Sequence, residues 1–172
     1  MRNRVRLNAL VQAGALALLT GFISPALAAD HAIALKGGKL VIRQEQQWML
    51  EASKRVIEGD YPAALQLYNQ VISSDGGNIQ AYVQRGVVRR QMQDENGCQQ
   101  DATMAVRLSD AAIQQDPNNS KLYYQRGTGY RLLKDFPQAR ENIEYAIRLS
   151  GKARADWETD LKAIALEEKM MQ

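Results

Sequence analysis

Apolar residues recur along this chain at helical spacing, and short patterns return along it. Tyr61, Ala64, Tyr68 and Val71 stand three, four and three residues apart. Phe136, Ala139, Ile143 and Ala146 repeat those steps. Such spacing puts four residues on one face of a helix. A proline directly follows each leading aromatic, at Pro62 and Pro137, where a helix start has no use for the missing N–H. Asp60 and Asp135 stand just ahead as caps. Upstream of each helix lies another. Tyr82-Val83-Gln84-Arg85-Gly86 with Arg90 returns as Tyr123-Tyr124-Gln125-Arg126-Gly127 with Arg131, an offset of 41. Trp48 and Ala52 hold the places of Tyr82 and Gly86 at an offset of 34. Asn-bearing turns, Gly76-Gly77-Asn78 and Asp116-Pro117-Asn118-Asn119, precede the second and third copies.

These residues resemble the tetratricopeptide-repeat (TPR) family, whose unit is a helix hairpin of 34 residues. Residues 45–78 fit one unit with Trp48, Ala52, Tyr61, Ala64, Tyr68 and Val71. Residues 120–153 fit another with Tyr123, Gly127, Tyr130, Phe136, Ala139, Ile143 and Ala146. Residues 79–119 fit a middle unit with Tyr82, Gly86, Ala105, Ala112 and Pro117. The middle unit is seven residues too long. We place the surplus as an insertion near 93–99, between its helices, and Ser109 then stands where an aromatic is expected. The resemblance implies an all-α fold, an αα-superhelix (TPR solenoid) of three helix-hairpin repeats plus a C-terminal capping helix. Residues 154–172 supply the cap, with Trp157, Leu161, Ile164 and Ala165 on one side. Glu51, Arg85 and Arg126 depart from the pattern, standing where it has an apolar residue. For the two arginines we expect stems lying over neighbours with the charge in water.

The start of the chain reads differently. Arg2, Arg4 and Arg6, an apolar run from Ala9 to Ile23, and Ala26-Leu27-Ala28 after Pro25 make residues 1–28 a secretory signal peptide. A retained anchor is the alternative reading. Residues 29–44 are a lead segment, in which the stretch around Gly37-Gly38 is either a short hairpin or flexible. Removing the signal takes three arginines and no acid, so the formal net charge falls from +3 to zero. The basic balance of the whole chain is therefore no argument for nucleic acid. The expectation is an exported protein, periplasmic or secreted after signal cleavage, without stable membrane insertion.

Candidate chemistry adds little. His31 is the sole histidine and Cys98 the sole cysteine, so neither a multi-ligand metal site nor an internal disulfide is expected. No phosphate loop or nucleophile–base pair is visible, and the reading is of a non-enzyme without cofactor. Cys98, at the edge of the supposed insertion, reads as a small buried residue or as a thiol for another molecule.

The resemblance implies binding. In the family, first helices line a concave groove, and certain positions after the opening aromatic point into it. Here these are Met49, Ser53 and Val56, Val83, Val87 and Arg90, and Tyr124, Thr128 and Arg131, with Gln46, Gln80 and Lys121 near the rim. The groove then holds an apolar strip beside Arg90 and Arg131. Some family members clamp a partner's C-terminal carboxylate. Met49, Ser53 and Gln84 hold three of those places and only Lys121 suits, so that ligand is not expected. The function expected is an adaptor, scaffold or chaperone-like module that takes a peptide or helix of a protein partner. The alternative is a self-associating structural or accessory subunit of an envelope assembly, so an oligomer is possible.

Overall fold

The computed structural model describes residues 33–36, 39–152 and 154–171. The expected signal peptide, His31 and the Gly-Gly turn lie outside them. Among the described residues two short strands precede seven helices. The chain divides into two compact units, residues 1–50 and 51–172.

In the first unit, β1 (Ile33–Lys36) pairs antiparallel with β2 (Lys39–Ile42), with Ile33 opposite Ile42 and Lys36 opposite Lys39. Both strands lie in the expected lead segment, and the turn between them is outside the described residues. Helix α1 (Gln44–Glu58) starts in this unit and ends in the second.

The second unit continues with α2 (Tyr61–Ser74), α3 (Ile79–Gln91), α4 (Glu95–Gln115), α5 (Ser120–Leu132), α6 (Phe136–Ser150) and α7 (Ala155–Met170). Asp60 accepts a hydrogen bond from the Ala63 N–H at 3.2 Å, and Asp135 one from Gln138 at 3.2 Å. Asn78 and Asn119 cap α3 and α5 in the same way, from Ala81 at 3.0 Å and Lys121 at 3.2 Å. Each such cap contributes about 1 kcal/mol.

The middle hairpin corrects the expected insertion near 93–99. Its turn is no longer than the others. Asp94 caps α4, accepting from the Gly97 N–H at 2.9 Å, and lies 12 residues after Tyr82, just as Asp60 follows Trp48 and Asp135 follows Tyr123. The three turns also share their backbone. Gly59, Gln93 and Lys134 all have positive φ, and the N–H of Asp60, Asp94 and Asp135 each bonds a carbonyl five residues back. That closure ends a helix by the Schellman route. The seven extra residues instead lengthen α4 at its C-terminal end: α4 has 21 residues where α2 has 14. The corrected register puts Ala102, not Ser109, at the position of Tyr68 and Ile143. Ser109 is buried one level further along and donates its hydroxyl to the Ala105 carbonyl at 2.8 Å.

The second helix of each hairpin carries the core. Ala64, Tyr68 and Val71 on α2 are buried, as are Cys98, Ala102 and Ala105 on α4, and Ala139, Ile143 and Ala146 on α6. Small residues set the approach of the facing helix. A Cβ on Gly127 would stand 2.7 Å from Ile143 Cγ1 and 3.0 Å from the Ala139 carbonyl, so α5 and α6 meet at a distance no alanine permits. Helix α7 closes the far end, burying Trp157 and Ile164 against the α6 core. Full burial of a side chain such as Ile164 stabilises by about 1.5–3 kcal/mol.

Candidate partner-binding face

The helical turn of 100° per residue sorts α3 into four directions. Ala81 and Val88 share one direction and are buried. Arg85, Gly86 and Arg89 face α4: Arg85 and Arg89 pair with Asp101, and Asp101 Cβ lies near Gly86. Ile79, Val83 and Arg90 face the next hairpin, where Leu122 packs against the Ile79–Val83 cluster. The remaining wedge holds Gln80 and Gln91, both exposed, with Gln84 and Val87 half-buried. On α5 the equivalent wedge holds exposed Lys121 and half-buried Gln125 and Thr128. The matching positions on α1 are Ser53 and Ile57, the latter 87% exposed.

This face therefore differs from the expected apolar strip with two arginines. Val87, Thr128 and Ser53 lie on this side of their helices, Val87 packed against the Cys98–Ala102–Leu132 cluster and Thr128 donating its hydroxyl to the Tyr124 carbonyl at 3.0 Å. Val83 is buried between hairpins. Arg90 donates from one Nη to the Leu132 carbonyl at 2.8 Å and to the Arg131 carbonyl at 3.2 Å, capping the end of α5. Its Nε is buried without a hydrogen-bond partner. Tyr124 stacks on Trp157 with ring centroids 4.6 Å apart, and its hydroxyl donates to Asp160 at 2.6 Å. Burial first, and then that carboxylate, push the Tyr124 hydroxyl well above the usual phenol range. Arg131 bonds Glu167 and, at 2.9 Å, Asp160. The physical reason is one of angle. These four side chains sit some 60–100° round the helix from the wedge, and the next first helix, or α7, covers them. Met49 is a buried residue of α1 in the first unit.

Arg85 and Arg126 also depart from expectation. Their heads are held by side-chain partners and keep only partial contact with water. Arg85 donates to both oxygens of Asp101, at 3.0 and 2.6 Å, and to Asn69 at 2.6 Å. Arg126 donates to Asn142 at 2.6 Å and to Asp110 at 2.7 Å. In both cases one partner lies 16 residues ahead and the other 16 behind. Each arginine thus bridges the second helix of its own hairpin and that of the hairpin before. Asp110 belongs to the added length of α4, which gives those two turns a structural use. Spacing alone offered a signal for this ladder, since Asn69, Asp101, Asp110 and Asn142 all fall at it.

Cys98 is buried in the first turn of α4, and burial raises its thiol above the usual range although the Arg90 guanidinium nearby works the other way. No group of three or more His, Cys, Asp or Glu able to hold a metal exists among the described residues.

The arrangement of hairpins matches solved structures. The TPR2B domain of yeast Sti1, in a complex with pHsp70, superposes with a TM-score of 0.50 at 16% identity, covering 74% of this chain and 98% of that one. The Sgt2 TPR domain from Aspergillus fumigatus gives 0.51 at 20%, covering 75% and 83%. The first TPR domain of human RPAP3 gives 0.50 at 18%, covering 71% and 90%. The fold is a tetratricopeptide-repeat fold. No protein-family model matches the sequence, and no curated protein matches it significantly. The TPR fold thus rests on geometry: three turns of one construction, glycines where α3 meets α4 and α5 meets α6, and a closing helix.

Proposed function

We propose that this protein is an exported, non-enzymatic interaction module that holds a peptide or helix of a protein partner along the inner wedge of its first helices. One observation carries the reading. Gln80, Gln84, Gln91, Lys121 and Gln125 line the side of α3 and α5 that the packing leaves open, while the residues around them are committed to the stack. Glutamine amides both donate and accept, so such a row suits the alternating N–H and C=O of an extended main chain. Lys121 is the one charge among those five positions, which favours a partner segment with few charges and an acid near that end.

The signal-like residues 1–28 support export, and the neutral balance that follows them argues against nucleic acid as partner. Among the described residues no helix is long and apolar enough to cross a membrane. The reading is tested by crosslinked pull-down from the envelope of the native organism, comparing the wild type with Gln84→Arg combined with Gln125→Arg. Both positions are half-buried on the open side of their helices, so circular dichroism of the double variant checks that the fold survives. Loss of the recovered partner is expected, and an unchanged partner profile would sink the proposal.

A further inference from the structure

The face of α7 turned away from the stack has no role in the fold described above. Trp157, Leu161 and Ile164 face inward, with Asp160 and Glu167 held by Arg131 and Glu168 by Arg140. The opposite side carries Ala155, Thr159, Ala163, Leu166 and Met170. Leu166 is 60% exposed and Met170 78%, two of the larger apolar exposures in the described chain. The stripe is graded. Its first half is small (Ala155, Thr159, Ala163) and its second half large (Leu166, Met170). Its charges are graded as well: exposed Glu158 lies beside the first half, and exposed Lys169 beside the second.

We propose that this stripe is a homodimer surface, and that its occupant is α7 of a second copy lying antiparallel. Two helices run in opposite senses with a two-fold axis between Lys162 and Ala163 bring Leu166 against Thr159 of the other copy, and Met170 against Ala155. Large side chains then meet small ones in both halves, the condition for close packing across a two-fold. The same register sets Lys169 beside Glu158 of the other copy twice, and it opposes the two helix dipoles favourably. A parallel pairing does neither, since it sets Leu166 on Leu166 and puts Lys169 and Glu158 of the two copies on opposite flanks and at different heights. Association of this end with the first helix of another copy is also disfavoured. Counting back by the repeat, the side of α1 equivalent to the one α7 buries holds polar Gln47, Lys54 and Glu58. Lys162 of the two copies meets near the axis, and that repulsion weakens the pair. A single helix pair is smaller than a standard interface of roughly 1,600 Å², so the dimer is expected to be weak and concentration-dependent.

Sedimentation velocity of the mature protein over a wide concentration series tests this. A reversible monomer–dimer equilibrium is expected. Leu166→Glu should leave a monomer with unchanged far-UV circular dichroism, and Lys162→Ala should tighten the dimer. Orientation is read by oxidation of an equal mixture of Met170→Cys and Ala155→Cys proteins, in which the mixed disulfide should outnumber the 170–170 one. A wild type that stays monomeric throughout, a dimer indifferent to Leu166→Glu, or dominant 170–170 linkage would overturn the proposal. None of these outcomes bears on the inner wedge, which lies on other helices.

Discussion

Truncating Asp101 should destabilise this protein far more than truncating Asp110, although each carboxylate pairs with an arginine of the same ladder. The Asp101 side chain is 2% exposed and receives Arg85 through two bonds and Arg89 at 2.9 Å. Asp101→Ala leaves two guanidinium groups facing a dry site. Removing one member of a buried pair costs about 3–5 kcal/mol. Here the low end applies. Arg85 keeps Asn69, Arg89 keeps the Gly97 carbonyl at 3.0 Å, and both arginines retain some contact with water. The expected loss is about 3 kcal/mol, which in a domain of this size lowers Tm by roughly 10 °C. The Asp110 side chain is 47% exposed, and its bond to Arg126 is worth about 0.5 kcal/mol. Asp101→Asn, which keeps an acceptor, should fall between the two. Equilibrium urea unfolding followed by circular dichroism gives all three values. If Asp101→Ala and Asp110→Ala agree within about 1 kcal/mol, the ladder is not buried as described.

Further outcomes follow from the same geometry. Gly127→Ala should cost about 1–3 kcal/mol by overpacking, reversing the usual gain of alanine in a helix, and should cost more than Gly86→Ala, where the new Cβ would meet the movable Leu132 Cδ1 at 3.1 Å; thermal melts compare them. Gln93→Gly should stabilise by about 1 kcal/mol, because Gln93 holds a left-handed backbone at φ 63; chemical unfolding reads the gain. Tyr124 has a folded-state pKa raised above its unfolded value by burial and by Asp160, so its contribution is complete below about pH 10 and declines as pH rises past that. Tyr124→Phe should therefore flatten the alkaline fall in stability measured by unfolding at stepped pH. Cys98, buried with its thiol raised, should resist iodoacetamide in the native protein and react at once in urea.

Much of this fold can be read from the chain before any coordinates. Trp48, Tyr82 and Tyr123 with Ala52, Gly86 and Gly127 mark the first helices, and Tyr61-Pro62 and Phe136-Pro137 mark two of the second. The start of α4 hides because Glu95-Asn96-Gly97 lacks the aromatic and the proline, and an Asn-Gly pair resembles a turn. The constant interval of 12 from the opening aromatic to Asp60, Asp94 and Asp135 is a signal for it that the insertion reading passed over. The binding face was harder to read. Val83, Arg90, Tyr124 and Arg131 are separated from the open wedge only by their angle around the helix, and their fate depends on what the next helix brings. Trp157, Asp160 and Glu167 lie far along the chain, and no local pattern ties them to Tyr124 and Arg131. The glutamines carried no such ambiguity, but a polar residue on a repeat helix looks like any solvated position until its neighbours are placed.

The central claim is that a partner lies along the inner wedge of α3 and α5. Photocrosslinking amino acids placed singly at Gln84 and Gln125, and at Gln100 and Glu144 on the exposed sides of α4 and α6, test it in cells of the native organism. The account predicts one discrete adduct shared by positions 84 and 125 and absent from 100 and 144. Equal adducts from all four positions, or adducts from 100 and 144 alone, would contradict it.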